Sequence, residues 1–238
     1  MKRLAHMTVA ILAGGLGTRL QSMFPDKPKV LANILGRPFV SYLLDQLLAA
    51  GARDVVFCTG YKANDVYREL GISYQSLQLT YSKEKVPLGT GGALRLALPY
   101  LRSDPILVMN GDSFIDVDID AYLEWFSKKK RLASILLKNV PDTGRYGRVV
   151  FDSNGIITSF EEKGSNIGVG WINAGIYILQ KSLIADMPST KPFSLEHDFF
   201  PKLVGHGLYG YCSNGDFIDI GTPETYAQAE NFFKERYF

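Results

Sequence analysis

The sequence predicts an α/β fold: a doubly wound, Rossmann-like sheet, mixed but mostly parallel, with helices on both faces. Three observations point there. Strand-like and helix-like segments alternate through the first half of the chain, the βαβα order that lays strands side by side in parallel. The first apolar run ends in a glycine-rich turn, and open α/β sheets hold their ligands at such turns, beyond the carboxyl ends of the strands. At 238 residues and 46% hydrophobic content, the chain suits one large domain with a substantial core.

The elements follow in order. Residues 8–12 form an apolar run that reads as a buried strand. Residues 38–50 carry Phe39, Leu43, Leu47 and Leu48 on one helical side. After the turn at Gly51, residues 55–59 are β-branched and apolar, and read as a strand. Residues 90–101 read as a helix and 106–109 as a short buried strand. The second half is richer in strands, at 133–138, 149–151, 156–160 and 172–179, with Asp152-Ser-Asn-Gly155 as a hairpin-type turn. Thr222 is a good N-cap and Pro223 suits the first position of a final helix. No linker, repeat or low-complexity segment interrupts the chain, so residues 1–238 are expected to form a single domain.

Bulk properties exclude several classes. A formal charge of +2 leaves no electrostatic footprint for nucleic acid. The basic run at 128–131 ends an amphipathic segment and reads as a solvated helix end. No apolar stretch approaches a membrane span and no signal peptide precedes the first strand, so neither a membrane nor a secretory route is expected. Cys58 and Cys212 lack metal or redox spacing and stand in apolar contexts, which predicts two buried free thiols in a reducing cytoplasm.

The chemistry is concentrated in Ile11-Leu-Ala-Gly-Gly-Leu-Gly-Thr-Arg-Leu20. Gly14, Gly15 and Gly17 let the backbone turn sharply and approach a ligand. Arg19 adds a positive fork suited to phosphate oxygens. A strand, a glycine-rich turn and a cation describe a nucleotide-phosphate cradle; a plain surface turn is the alternative. A dinucleotide fingerprint is excluded because Leu20 stands where the third glycine belongs, and a Walker loop because no lysine follows Gly17. Asp112 follows a buried strand, and Asp219 sits among apolar residues in Phe217-Ile-Asp-Ile220. Buried carboxylates need a cation or a metal, and two at strand ends suit one Mg²⁺, which takes few carboxylates besides phosphate oxygens and water.

These residues resemble the sugar-1-phosphate nucleotidyltransferases, whose signature is the glycine-rich segment followed by a proline–lysine pair, here Pro28-Lys29. Four more blocks match in register: Pro87-Leu-Gly-Thr-Gly-Gly-Ala93, Asn110-Gly-Asp112, Phe160-Glu-Glu-Lys163 and Phe217-Ile-Asp-Ile-Gly-Thr-Pro-Glu224. The resemblance covers essentially the whole chain. Within the family the pattern is most similar to guanylyltransferases of D-glycero-α-D-manno-heptose 1-phosphate, which serve surface polysaccharide synthesis. Val30 departs from it, standing where relatives often carry proline. At this length, the carboxyl-terminal helical solenoid of some relatives is not expected.

The resemblance implies a transfer of a nucleoside monophosphate to a sugar 1-phosphate. It places Leu12, Ala13, Gly14, Gly15, Gly17, Thr18, Arg19, Lys29, Gly89, Gly111 and Asp112 around the nucleoside triphosphate, and Asp112 and Asp219 on the Mg²⁺. It assigns Lys163 to the sugar phosphate, and Gly147, Glu162 and Asn173 to the sugar; a purely structural Asn173 is the alternative. Arg19, Lys29, Asp112, Lys163 and Asp219 form the implied catalytic set. Residues 1–112 are expected to hold mainly the nucleotide, and 113–238 mainly the sugar phosphate. Glu84 falls where the family reads the base. A carboxylate there would accept from guanine's ring N–H and amino group together, whereas a solvated glutamate between Lys83 and Lys85 is the plainer alternative. Mannose-1-phosphate guanylyltransferases and sugar-1-phosphate uridylyltransferases share this pattern. A nucleotide-sugar sensor without turnover would not need both carboxylates. The sequence leaves a homo-oligomer open.

Overall fold

The computed structural model describes residues 2–15, 17, 27–129, 131–161, 168–189 and 191–237. The amino-terminal half contains β1 (Thr8–Ala13), a short ribbon β2 (Asn33–Ile34) and β3 (Arg37–Pro38), α1 (Phe39–Ala49), β4 (Asp54–Thr59), α2 (Ala63–Leu70), β5 (Ser73–Tyr74), β6 (Leu77–Lys83), α3 (Gly89–Leu96) and β7 (Ile106–Asn110). The remainder contains β8 (Ser113–Ile115), α4 (Ile119–Ser127), β9 (Ala133–Val140), β10 (Arg148–Phe151), β11 (Ile157–Glu161), β12 (Gly170–Leu179), α5 (Lys181–Ala185), a π-helical turn Leu195–Phe199, α6 (Phe200–Leu203), β13 (Leu208–Ser213), β14 (Phe217–Asp219) and α7 (Pro223–Tyr237).

The central sheet has eight strands in the order β13-β9-β12-β7-β1-β4-β6-β5. β7, β1, β4 and β6 run parallel, as the first-half alternation predicts, and β9 and β13 form another parallel pair. β12 is antiparallel to both β7 and β9, and β5 to β6. Alternation along the strands divides the core. Val9, Ile11, Val55 and Phe57 face the layer built by α1, α4 and α7, while Ala10, Val56 and Cys58 face α3, α5 and the π-helical turn. This is the doubly wound, mixed and mostly parallel sheet expected from the sequence.

Three local expectations are corrected. The helix expected over 90–101 stops at Leu96 and gives way to a 3₁₀ turn, Leu98–Tyr100, because Pro99 has no N–H and disfavours helical geometry at Leu98. The basic run at 128–131 does not end in solvent. Arg131 is 5% exposed, its guanidinium lies 3.9 Å over the Trp125 ring, and it donates to the Phe126 carbonyl at 3.3 Å. Cys58 is buried as expected, but Cys212 is exposed, because β13 is an edge strand and alternation turns Cys212 outward. Among the described residues no helix is long and apolar enough to cross a membrane.

Candidate active site

The parallel strands β1, β4, β6 and β7 end on one side of the sheet, and the segments leaving them surround a cavity of about 450 Å³. Leu12, Ala13, Gly14, Gly15, Gly17, Lys29, Glu84, Gly89 and Asp112 all line it, joined by Cys58, Thr90 and Asn110. Backbone bonds pin the rim: Tyr61 N–H donates to Gly14 O at 3.4 Å, Glu84 N–H to Thr59 O at 2.9 Å and Gly111 N–H to Leu12 O at 2.9 Å. Gly111 stands behind the wall rather than in it. A Cβ there would come within 2.8 Å of Leu12 O and of Val30 Cγ1, so the turn after β7 requires glycine. Thr18 and Arg19 lie outside the described residues.

Glu84 is not a solvated loop residue. It is 8% exposed, its Oε2 accepts the Leu88 N–H at 3.0 Å, and a Cβ on Gly14 would lie 3.0 Å from its Oε1. Burial pushes its carboxyl above the ordinary range, against the opposing effect of the Leu88 N–H. Cys58 is pushed up to about 12, first by burial and then by the charge of Glu84, so the thiol is inert near neutral pH. The N–H groups of Gly91 and Gly92, in the first turn of α3, donate to Phe193 O at 2.9 and 3.0 Å. They are therefore not free to meet an anion.

Lys29 Nζ donates to Asp112 Oδ2 at 2.6 Å; its side chain is 13% exposed and that of Asp112 41%. Asp219 is beside them. β14 pairs with β8 so that Ile220 N–H donates to Asp112 O at 2.9 Å, and a Cβ on Gly221 would lie 2.5 Å from Asp219 Oδ1 and 3.5 Å from Lys29 Nζ. Asp219 Oδ1 accepts the Gly221 N–H at 2.8 Å, and Oδ2 accepts the Tyr146 hydroxyl at 2.5 Å and an Arg145 N–H at 3.5 Å. Asp112, in the turn before β8, and Asp219, at the end of β14, thus bring two carboxylates to one end of the β8–β14 pair, hard oxygen donors of the kind a divalent cation takes. No group of three or more acidic, His or Cys side chains that could hold a metal converges among the described residues.

A second cleft of about 630 Å³ opens from the other side of Asn110, which lines both. Gly147 and Asn173 line it as expected, with Tyr146, Arg148, Glu161, Glu196 and His197. Asn173 sits where β12 shifts register. Its Oδ1 accepts the Gly175 N–H at 2.9 Å and its Nδ2 donates to the Tyr177 hydroxyl at 3.0 Å, so it has a structural task whatever else it contacts. Glu162 and Lys163 lie outside the described residues. Sequence reasoning missed Asn110, Tyr146 and Glu196. Asn110 was inside the quoted Asn-Gly-Asp block and Tyr146 stands next to the expected Gly147; Glu196 had no motif to announce it.

Comparison with known proteins gives this geometry a context. The chain is similar to a D-glycero-alpha-D-manno-heptose 1-phosphate guanylyltransferase from Aneurinibacillus thermoaerophilus, at 35% identity over 225 residues, covering 94% of this chain and 97% of the relative. A mannose-1-phosphate guanylyltransferase from Mycobacterium tuberculosis is 33% identical over 227 residues, covering 94% of this chain and 63% of its own length. The crystal structure of HddC from Yersinia pseudotuberculosis complexed with GMP-PN superposes with a TM-score of 0.85 at 37% identity, covering 95% of this chain and 99% of that one. A nucleotidyl transferase family model matches residues 8–236, nearly the whole chain, and with the strand-end cavity and its Lys29–Asp112 pair in view, the chain belongs to the nucleotidyl transferase family.

Proposed function

We propose that the chain transfers GMP from GTP to D-glycero-α-D-manno-heptose 1-phosphate, releasing pyrophosphate and forming a GDP-sugar of the kind used for surface polysaccharide. The observation that carries the guanine assignment is the buried Glu84 in the wall of the first cavity. The fold's described contacts fill one acceptor site, on Oε2, and guanine offers an adjacent ring N–H and amino group to the carboxylate. The relatives named for guanylyl transfer support the same base.

The chemistry needs no nucleophilic side chain. A sugar phosphate is largely dianionic near neutral pH, since its second pKa is about 6. One of its oxygens attacks the α-phosphorus, and pyrophosphate leaves. The protein aligns the two substrates and balances charge. The Gly14–Gly15–Gly17 loop and Lys29 face the triphosphate, with Arg19 as the further cation on the leaving phosphates. Lys163 holds the attacking phosphate, while Gly147, Glu162 and Asn173 orient the sugar. Asp112 and Asp219 would hold a Mg²⁺, which supplies charge neutralisation at the α-phosphate. Residues 1–112 mainly serve the nucleotide and 113–238 the sugar phosphate. The setting is cytoplasmic, where both substrates are made.

Pyrophosphate release tests this directly. GTP, UTP, dTTP and ATP are each paired with heptose 1-phosphate, mannose 1-phosphate and glucose 1-phosphate. GTP with the heptose phosphate is expected to give the highest kcat/KM. A best rate with UTP or dTTP overturns the guanylyl assignment while leaving nucleotidyl transfer in place.

A further inference from the structure

Glu196 stands in the second cleft on the π-helical turn, and its carboxylate accepts three hydroxyl protons. The Tyr177 hydroxyl donates to Oε1 at 3.2 Å, and those of Thr90 and Ser194 donate to Oε2 at 2.7 and 3.0 Å. None of these hydroxyls is free to reverse. Thr90 Oγ1 accepts the Leu195 N–H at 2.8 Å, and Ser194 Oγ accepts the N–H groups of Glu196 and His197 at 3.2 and 3.1 Å. Tyr177 is fully buried and its hydroxyl accepts from Asn173 Nδ2 at 3.0 Å. Each hydroxyl therefore has its proton to give, and position 196 must accept at both oxygens. A glutamine cannot, because its amide nitrogen would face a donor whichever way it turned. A carboxylate offers about four acceptor sites. Three are filled among the described residues, and the fourth belongs to Oε1.

We propose that Glu196 is the specificity-determining residue of the sugar cleft: its remaining acceptor takes the proton of one sugar hydroxyl, and its other oxygen ties that contact to Thr90 in the wall of the nucleotide cavity. This rests on the proposed transfer to a sugar 1-phosphate. The negative charge also sets orientation, since it repels the phosphate and leaves the polyol face as the part that can approach. The anchoring through Thr90 joins the two clefts by one side chain, so the sugar is read in a frame fixed to the nucleotide loop.

The test uses D-glycero-α-D-manno-heptose 1-phosphate and analogues in which each free hydroxyl in turn is replaced by fluorine, with saturating GTP. Fluorine keeps the size and polarity of the position but cannot donate. For the wild type, one analogue is expected to lose roughly 10- to 100-fold in kcat/KM beyond the others. Glu196→Gln should lose a similar factor with the parent sugar and little more with that analogue. Tyr177→Phe keeps the carboxylate and should retain the sensitivity at the same hydroxyl. Equal losses for every analogue in the wild type, or independent and multiplying losses in Glu196→Gln, would overturn the assignment. The wild-type series decides even where Glu196→Gln fails to fold. An enzyme that turned over none of these sugar phosphates would instead sink the sugar-transfer reading, and this one with it.

Discussion

Glu84 shows how one residue sets function against stability. Burial raises its carboxyl pKa in the folded chain, so folding prefers the protonated form. Below the ordinary carboxylate range the group is protonated folded or unfolded and costs nothing. As pH rises through the raised folded value, the ionised group becomes a growing penalty. Glu84→Gln should therefore stabilise the free protein at neutral pH, with the gain in Tm vanishing near pH 4. The same change should lower kcat/KM for GTP and narrow its lead over UTP, since one acceptor becomes a donor. Melts from pH 4 to 8 and initial rates check both. A neutral-pH Tm below wild type would show that Glu84 is a structural group first. Asp112 and Asp219 behave differently. Asp112 is open to the cavity, whereas Asp219 is held by Tyr146, Arg145 and Gly221. Asp112→Asn and Asp219→Asn should each cut turnover by several orders of magnitude with circular dichroism unchanged, because charge stabilisation at the phosphoryl group is worth several kcal/mol. Near-wild-type rates in saturating Mg²⁺ for either would remove that residue from the metal site.

At the scale of elements, the carboxylates depend on a helix, α7, that among the described residues contributes none to the lining of either cleft. α7 docks through Phe233, which is fully buried, stacks on Tyr42 at 3.9 Å and meets Phe114 edge-on at 5.2 Å. Phe114 lies on β8, whose ladder partner β14 carries Asp219. Phe233→Ala should cost about 3–5 kcal/mol. For a chain of this size that lowers Tm by roughly 6–20 °C. Below the new Tm, kcat should fall while KM for GTP moves by less than about threefold, because the glycine loop and Glu84 hang from β1 and β6 rather than from α7. A raised KM for GTP at constant kcat would contradict this division. The elements differed in how legible they were. β1, β4 and β7 were plain from short apolar runs, since a strand buried on both faces is apolar throughout. The two-residue ribbon of β2 and β3 and the three-residue β8 had too few residues to show a period. Pro99 did announce the end of α3, but the apolar spacing around it concealed that signal.

Over the whole molecule, what the sequence disclosed is the set of positions at strand ends, and what it concealed is pairing across the chain. Gly14, Lys29, Glu84 and Asp112 were recognisable because each stands in a local block beside a strand. Glu196 was not, since its meaning comes from Thr90, more than a hundred residues away, and from Tyr177 on β12. Arg131 and Cys212 were misread for the same reason: local charge and apolarity do not reveal that Trp125 covers one or that β13 is an edge.

That difference between the two cysteines makes a probe of global behaviour. Disulfide exchange requires a thiolate. Cys212 is exposed on the edge strand, and burial raises its thiol pKa only in part. Cys58 is 1% exposed in the middle of the sheet with its pKa pushed up to about 12, so it reacts only when the fold opens. With a colorimetric disulfide reagent, one thiol should react promptly and the second orders of magnitude more slowly, accelerating steeply with urea. When reclosing outpaces reaction, the slow rate follows the population of the opened form. On the proposed reading GTP binds only the folded cavity, so at 100 times its Kd it should slow the second thiol by about a hundredfold, the factor given by mass action. A smaller slowing would mean that Cys58 is reached by a local opening that leaves GTP bound. Two prompt thiols, or a slow one indifferent to both urea and GTP, would contradict the burial on which the cavity's chemistry rests.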